Sequence, residues 1–240
     1  MSEKVVYVGK DLEAMSFAVN YHRWIFEEIA EFLGDNVVEV GAGIGSFSEM
    51  LVAKKPRSLS LVEPSGMYKQ LAERFEGPRN GTEVETFNAI FAEVASQIEK
   101  KYKPDSIIYI NVLEHVEDDL GELKLMHRSL KKGGRCLIFV PALKFLYGNF
   151  DRTLGHFRRY GKSELEAKCR DAGFKILSSR YFDFAGVLPW FIKYRVLRSV
   201  ELGGGAVELY DNLVVPIFKR IESRVKVPVG KNILLIAEKE

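Results

Sequence analysis

The densest chemistry in the chain lies in Val37-Val38-Glu39-Val40-Gly41-Ala42-Gly43-Ile44-Gly45-Ser46. An apolar run ends in three glycines on alternate positions, with a carboxylate two residues ahead of the first. Glycine takes positive φ and has no Cβ, so the backbone can come close to a ligand. A dinucleotide site spaces its glycines G-x-G-x-x-G and rests a pyrophosphate on the next helix N-terminus. Here the third glycine is one position early and Glu39 stands beside the loop. That arrangement suits a cofactor with an amino-acid tail and no phosphate. The bland alternative is a loop whose glycines only let a helix pack tightly on a strand.

Three further segments carry polar groups at the ends of apolar runs. Leu61-Val62-Glu63-Pro64 puts Glu63 22 positions after Gly41, near the roughly 20 expected of an acid that holds ribose hydroxyls. Met67 follows, as an adenine neighbour or a core side chain. Thr86-Phe87-Asn88-Ala89 offers Asn88 to an adenine amino group, or to a simple Asx turn. Ile110-Asn111-Val112-Leu113-Glu114-His115 places Asn111 and His115 where open α/β sheets bind ligands.

These groups need strand ends to hold them. Short apolar runs at Asn36–Val40, Ser58–Glu63, Glu83–Phe87, Asp105–Ile110, Gly134–Val140, Phe174–Tyr181 and Asn232–Ala237 alternate with helical patterns, as βαβ units require. The expected helices are Phe17–Phe32, Gly45–Lys54, Ser65–Phe75, Asp119–Leu130 and Ser163–Ala172, with Ser65 and Ser163 as N-caps. The fold class is therefore α/β, a Rossmann-like, seven-stranded, mainly parallel sheet with helices on both faces. One domain over 1–240 is expected. It has an N-terminal helix at 11–34, a core at 35–181 and 232–240, and a helical cap at 182–231. A structureless stretch as long as that cap would be unusual. Pro189 suits the first turn of one cap helix, and a second should run over Val207–Val225 with a kink or break at Pro216.

Composition narrows the class. Of the 240 residues, 47% are hydrophobic and 28% charged, enough for a full core and against disorder. Lys and Arg number 35 and Asp and Glu 33, a net charge of +2. That balance gives no support for a nucleic-acid partner. Cys136 and Cys169 have neither Cys-x-x-Cys spacing nor a histidine cluster nearby in sequence, so no metal is expected. The opening residues carry no apolar signal-peptide core and no apolar stretch reaches about 20 residues, so a cytoplasmic protein is expected. The sequence has no signature of a particular oligomeric state.

Together Glu39–Gly45, Glu63-Pro64, Asn111–Val116 with Asp118-Asp119, and Lys131–Gly134 before an apolar run resemble the class I S-adenosylmethionine-dependent methyltransferases. The ubiquinone-biosynthesis type is the nearest large group. Asn20–Phe26, Leu146–Asp151 and Gly155–Tyr160 resemble a narrower bacterial and archaeal subgroup often found with glycosyltransferases. The resemblance implies S-adenosylmethionine as cofactor, with Gly41, Gly43 and Gly45 along the methionine moiety. Glu63 would hold the ribose, Asn88 the adenine where the family often has Asp, and Asn111 would lie near the sulfonium. Glu39, Ala42, Ser46, Pro64, Met67, Ala89, Val112, Leu113 and Tyr21 complete the expected cofactor set.

For the acceptor, His156 is the favoured general base and His115 the alternative. Tyr147, Arg158, Arg159 and Tyr160 form a cluster able to grip an anionic acceptor. The two arginines equally suit ion pairs that hold the cap. Phe182, Phe184, Trp190, Phe191 and Tyr194, among Lys193, Arg195 and Arg198, read as a packed cover over the substrate or as a peripheral membrane contact. The expected reaction is methyl transfer to an O or N of a small-molecule or lipid- or glycan-linked acceptor. The rivals are an RNA or protein methyltransferase, a nicotinamide-dependent oxidoreductase, and a cofactor-binding relative without catalysis. No Asn-Pro-Pro-Tyr-type motif follows the fourth strand, which disfavours RNA.

Overall fold

In the computed structural model, which describes residues 18–77, 79, 81–200 and 203–240, seven strands form one sheet ordered β3-β2-β1-β4-β5-β7-β6. They are β1 Asn36–Val40, β2 Ser58–Val62, β3 Glu83–Phe87, β4 Ser106–Ile110, β5 Arg135–Pro141, β6 Phe174–Phe182 and β7 Asn232–Lys239. All pairs are parallel except β5–β7 and β6–β7.

Strands β1, β4, β5 and β7 read as near-continuous apolar runs because both sheet faces are buried there. Successive side chains serve opposite cores. In β5, Cys136, Ile138 and Val140 enter one core and Leu137 and Phe139 the other. In β7, Ile233, Leu235 and Ala237 enter the first and Leu234 and Ile236 the second.

The helices are α1 Val19–Ile29, α2 Ser48–Ala53, α3 Tyr68–Arg74, α4 Phe91–Tyr102, α5 Asp119–Ser129, α6 Asn149–Thr153, α7 Lys162–Asp171, α8 Val187–Trp190, α9 Gly204–Leu209 and α10 Val215–Glu222. The expected N-terminal helix begins at Val19, and the earlier part of that span lies outside the described residues. Helix α7 starts at Lys162 rather than on a Ser163 cap, because the Glu164 carboxylate accepts the Gly161 N–H. Helix α4 was not expected, although Phe91, Val94, Ala95 and Ile98 carry its buried stripe.

The cap has two helical stretches. Helix α8 continues as a π-helical turn over Phe191–Val196. Helices α9 and α10 are joined by a π-helical turn at Tyr210–Val214, immediately before Val215 and Pro216. The wider turn takes up the missing N–H and the ring of the proline, so the helix shifts register where a kink or break was expected. Asp211 in that turn accepts the N–H groups of Asn20 (2.9 Å) and Tyr21 (2.8 Å). It thereby caps α1 from across the molecule. Trp24 is fully buried and packs on Phe182 with ring centroids 4.0 Å apart. These contacts bind the N-terminal helix to the cap.

The candidate active site

Strand order reverses between β1 and β4, and the crevice at their C-terminal ends is where such sheets take ligands. A cavity of about 280 Å³ lies there. Its walls come from the loops after β1 (Gly41, Ala42, Gly43, Ile44, Ser46), β2 (Glu63, Pro64, Ser65, Met67), β3 (Ile90, Phe91) and β4 (Asn111, Val112, His115).

The three glycines have different work. All have positive φ: 74° at Gly41, 57° at Gly43 and 84° at Gly45. A Cβ on Gly41 would stand 2.4 Å from Val112 Cγ2, and one on Gly45 2.3 Å from Phe75 Cε2. Those two let β4 and α3 close on the loop. Nothing lies within 4 Å of a Cβ on Gly43, which lines the cavity. Gly45 faces Phe75 and Leu71 and is not among the lining residues.

The loop is not a phosphate cradle. The N–H groups of Gly41 and Ala42 donate to the Val62 carbonyl, that of Gly45 to the Ala42 carbonyl, and that of Gly43 to Glu63 Oε2 (2.8 Å). These four N–H groups are spent internally. Glu63 Oε1 accepts the Ser65 N–H at 2.9 Å. Each carboxylate oxygen keeps a lone pair for a ligand hydroxyl. Glu39 is buried and accepts the Ser48 hydroxyl at 2.5 Å. Burial pushes its carboxyl up to about 8, with the neighbouring Glu63 adding to the rise and the Ser48 hydroxyl opposing it. The lining includes Glu39, Glu63 and Glu122 and no Lys or Arg. A cavity lined by carboxyl groups, with no basic side chain and these backbone donors occupied, suits a ligand with positive groups and offers little to a pyrophosphate.

Asn88 is exposed and Ala89 half-buried; neither is among the lining residues, where Ile90 and Phe91 stand instead. Leu113 is fully buried in the core. The sequence reading did not include His22, which lines the cavity from α1. Burial lowers its imidazole below the ordinary value, against the opposing pull of Asp211.

A second, smaller pocket of about 100 Å³ adjoins the first, and Asn111 and His115 line both. Asn111 has φ 54°, and its N–H donates to the Phe139 carbonyl at 2.8 Å. Asparagine tolerates this left-handed conformation better than most residues. Tyr21, Glu114, Phe150, His156, Arg159, Trp190, Lys231 and Asn232 also line this pocket. Tyr21 thus belongs to this second pocket rather than to the larger cavity, and its hydroxyl donates to Asn232 Oδ1 at 3.1 Å.

The loop after β4 and the loop after β5 are tied together. Phe157 N–H donates to the Glu114 carbonyl at 2.8 Å, and the Tyr160 hydroxyl donates to the Leu113 carbonyl at 3.2 Å. That tie sets the His115 and His156 rings edge to face, 4.6 Å apart. His156 Nδ1 lies 3.2 Å from Asp151 Oδ1, which also accepts Arg159 Nε at 2.7 Å. Burial pushes the Asp151 carboxyl up, but the His156 bond and the Arg159 charge outweigh it and hold it low. Burial and the neighbouring His156 depress His115 to about 4. Glu114 is fully buried and raised by burial to about 7, with His156 and Arg159 drawing it down. The sequence spacing gave no metal signal, yet ligand atoms of Glu114, His115 and His156 lie within 4.8 Å of one another.

Of the expected acceptor residues, only Arg159 lines the pocket. Arg158 pairs with Asp119 Oδ2 at 2.7 Å. The Tyr160 hydroxyl donates to the same oxygen at 2.9 Å, and Tyr147 donates to the His156 carbonyl at 2.8 Å. Arg158 and Tyr160 brace the loops, and Tyr147 positions His156.

A methyltransferase-domain family matches residues 17–179. The chain belongs to this family. Its matched relatives include the ubiquinone biosynthesis O-methyltransferase of Pseudomonas paraeruginosa, 26% identical over 166 residues, 64% of this chain and 69% of the relative. That of Pseudomonas syringae pv. tomato is 24% identical over the same shares. A solved S-adenosylmethionine-dependent methyltransferase from Archaeoglobus fulgidus superposes with TM-score 0.61 at 16% identity, covering 95% of this chain and 99% of that one. The Burkholderia thailandensis 1,6-didemethyltoxoflavin-N1-methyltransferase, solved with 1,6-didemethyltoxoflavin and S-adenosylhomocysteine, superposes with TM-score 0.58 at 16% identity, covering 96% and 82%. This chain is a class I, S-adenosylmethionine-dependent methyltransferase. No helix of the described residues is long and apolar enough to cross a membrane.

Proposed function

We propose that the larger cavity holds S-adenosylmethionine and the adjoining pocket the reacting end of a small acceptor, methylated on O or N. The observation that carries this is the meeting of the two cavities at Asn111 and His115. Glu39 and Glu63, with Gly41, Ala42, Gly43, Ser46, Pro64, Met67, Asn111 and Val112, would hold the cofactor. The cofactor supplies a methyl group already activated on a sulfonium. The chain's own task is then to hold the acceptor in line and handle its proton. Positioning of this kind is worth roughly 7–11 kcal/mol.

Pockets that enclose whole drug-sized ligands start at about 300 Å³. A pocket of about 100 Å³ takes only the end of an acceptor. Glu114, His115 and His156 are the titratable groups that line it. Lys231 and Arg159 give it positive charge, though each is paired, with Asp183 at 2.9 Å and with Asp151. Calorimetry should show S-adenosylhomocysteine binding to the wild type and no NAD binding. Glu63→Ala should weaken that binding by about 10- to 100-fold, the loss of strong hydrogen bonds worth about 1.5–3 kcal/mol. NAD binding with no S-adenosylhomocysteine binding would defeat the assignment.

A lipid-linked acceptor is the second reading, favoured by one feature. Trp190 lines the pocket, and the segment beginning at its helix exposes Leu188, Phe191, Ile192, Val196 and Leu197 beside Lys193, Arg195 and Arg198. Incubating the protein and methyl-labelled cofactor with a cell extract separates the readings. Label in the lipid fraction supports a lipid carrier, and label in the small polar fraction a free metabolite. Label in RNA or protein would overturn both.

A further inference from the structure

We propose that Glu114, His115 and His156 bind a divalent transition-metal ion, zinc being the best match, whose open position faces the acceptor pocket. One carboxylate oxygen and one nitrogen from each ring lie within 4.8 Å of one another. Ligands of a tetrahedral zinc ion stand about 3.4 Å apart, so side-chain rotations of roughly 1 Å close the set. Two imidazoles and one carboxylate, with a fourth position left open, is a donor set that catalytic zinc sites use.

A second observation is independent of that spacing. Both Glu114 carboxylate oxygens are buried without a hydrogen-bond partner, and the residue is fully inaccessible. The pocket's other charges are matched: Arg159 with Asp151 and Lys231 with Asp183. Among the described residues Glu114 is the one acidic side chain lining the pocket, and no Lys or Arg forms an ion pair with it. A buried carboxylate in that position calls for a cation.

The supporting contacts also fit. Metal-bound histidines commonly anchor their second nitrogen on a carboxylate or the backbone. His156 Nδ1 is held by Asp151, which leaves Nε2 to ligate. His115 is hydrogen-bonded to the backbone of Gly155. The pair Glu114-His115 sits on the loop after β4 and His156 after β5, and the Phe157–Glu114 backbone bond fixes their approach.

The substrate class follows. An acceptor that offers an oxygen to the open position, such as a phenol or an enol, would be favoured. On binding the ion its hydroxyl would release a proton to solvent and stay as the oxyanion nucleophile. That role rests on the proposed function; binding of the ion does not.

The test is a zinc titration of the chelator-stripped full chain by calorimetry, with the visible spectrum of the cobalt-loaded protein as the second readout. One Zn²⁺ per chain at micromolar affinity or tighter is expected, and cobalt should give the intense bands of a four-coordinate site. His156→Ala and the isosteric Glu114→Gln should each weaken zinc binding at least tenfold, and His127→Ala should not. S-adenosylhomocysteine binding reports that the variants are folded. Absence of zinc binding by the wild type, or equal binding by wild type, Glu114→Gln and His156→Ala, would overturn the site. Zinc binding without S-adenosylhomocysteine binding would leave the site standing and remove the proposed function.

Discussion

Glu39→Gln should uncouple the stability of this protein from alkaline pH. Glu39 lies buried at the end of β1, and burial raises its carboxyl from 4.5 to about 8. The folded state therefore keeps a proton that the unfolded chain releases. Stability must fall as pH rises from 4.5 through 8, with the slope ending above the folded value. Between pH 6 and 9 the unfolded carboxyl is ionised across all three pH units and the folded one only across about the last. The difference of about two units is worth about 3 kcal/mol at 1.36 kcal/mol per unit. At roughly 2–4 °C per kcal/mol for a chain of this size, the melting temperature should drop by about 6–12 °C more in the wild type than in the variant. Glutamine keeps an acceptor for Ser48 and cannot ionise. All other titrating groups are common to both proteins, so their effects cancel in the comparison. The assay is thermal unfolding of both proteins at each pH. Saturating S-adenosylmethionine, whose positive groups favour the ionised carboxylate, should shrink the wild-type loss. Parallel melting curves for the two proteins across pH 6–9 would refute the reasoning.

Other outcomes follow from the same geometry. Gly45→Ala must bear a positive φ and a Cβ 2.3 Å from Phe75, and should destabilise by about 2–4 kcal/mol in urea unfolding. Gly43→Ala meets no neighbour, so it should cost only about 1–2 kcal/mol of backbone strain while measurably weakening S-adenosylhomocysteine binding. Asp211→Ala leaves the Asn20 and Tyr21 N–H groups without their acceptor. It should lose about 1–2 kcal/mol, and protease cleavage within α1 should accelerate.

Most of the fold was legible because the strands are local signals. β1 and β3 have the bounds their apolar runs suggest, and the other five differ by one or two residues at an end. Both faces of each central strand are buried, so strength of hydrophobicity marks them without any need for alternation. The glycine loop was legible for a related reason. Its glycines, Glu39 and Glu63 lie at the ends of adjacent strands, and a fixed βαβ rise places such ends together. Helix α4 has the spacing of an amphipathic helix at Phe91, Val94, Ala95 and Ile98 but begins directly after the β3 loop, with no capping side chain ahead of Phe91. Gly45 and Leu113 had the residue type expected of the site, yet packing against Phe75 and within the core decides where they face.

The sequence by itself determined the seven-stranded alternation and the glycine loop with its acids, spaced for a cofactor without a pyrophosphate. Those properties reside in short runs whose period and spacing survive in one dimension. Only the tertiary structure decided which groups line the smaller pocket. His156 stands 41 positions from His115, and nothing between them signals a meeting. The hydrogen bonds from Phe157 and Tyr160 to the loop after β4 make it. The same closure commits Arg158 and Tyr160 to Asp119 and leaves Glu114 buried with neither oxygen satisfied. Side-chain partnership depends on distances between loops that sheet order sets, and sheet order is a property of the folded chain as a whole.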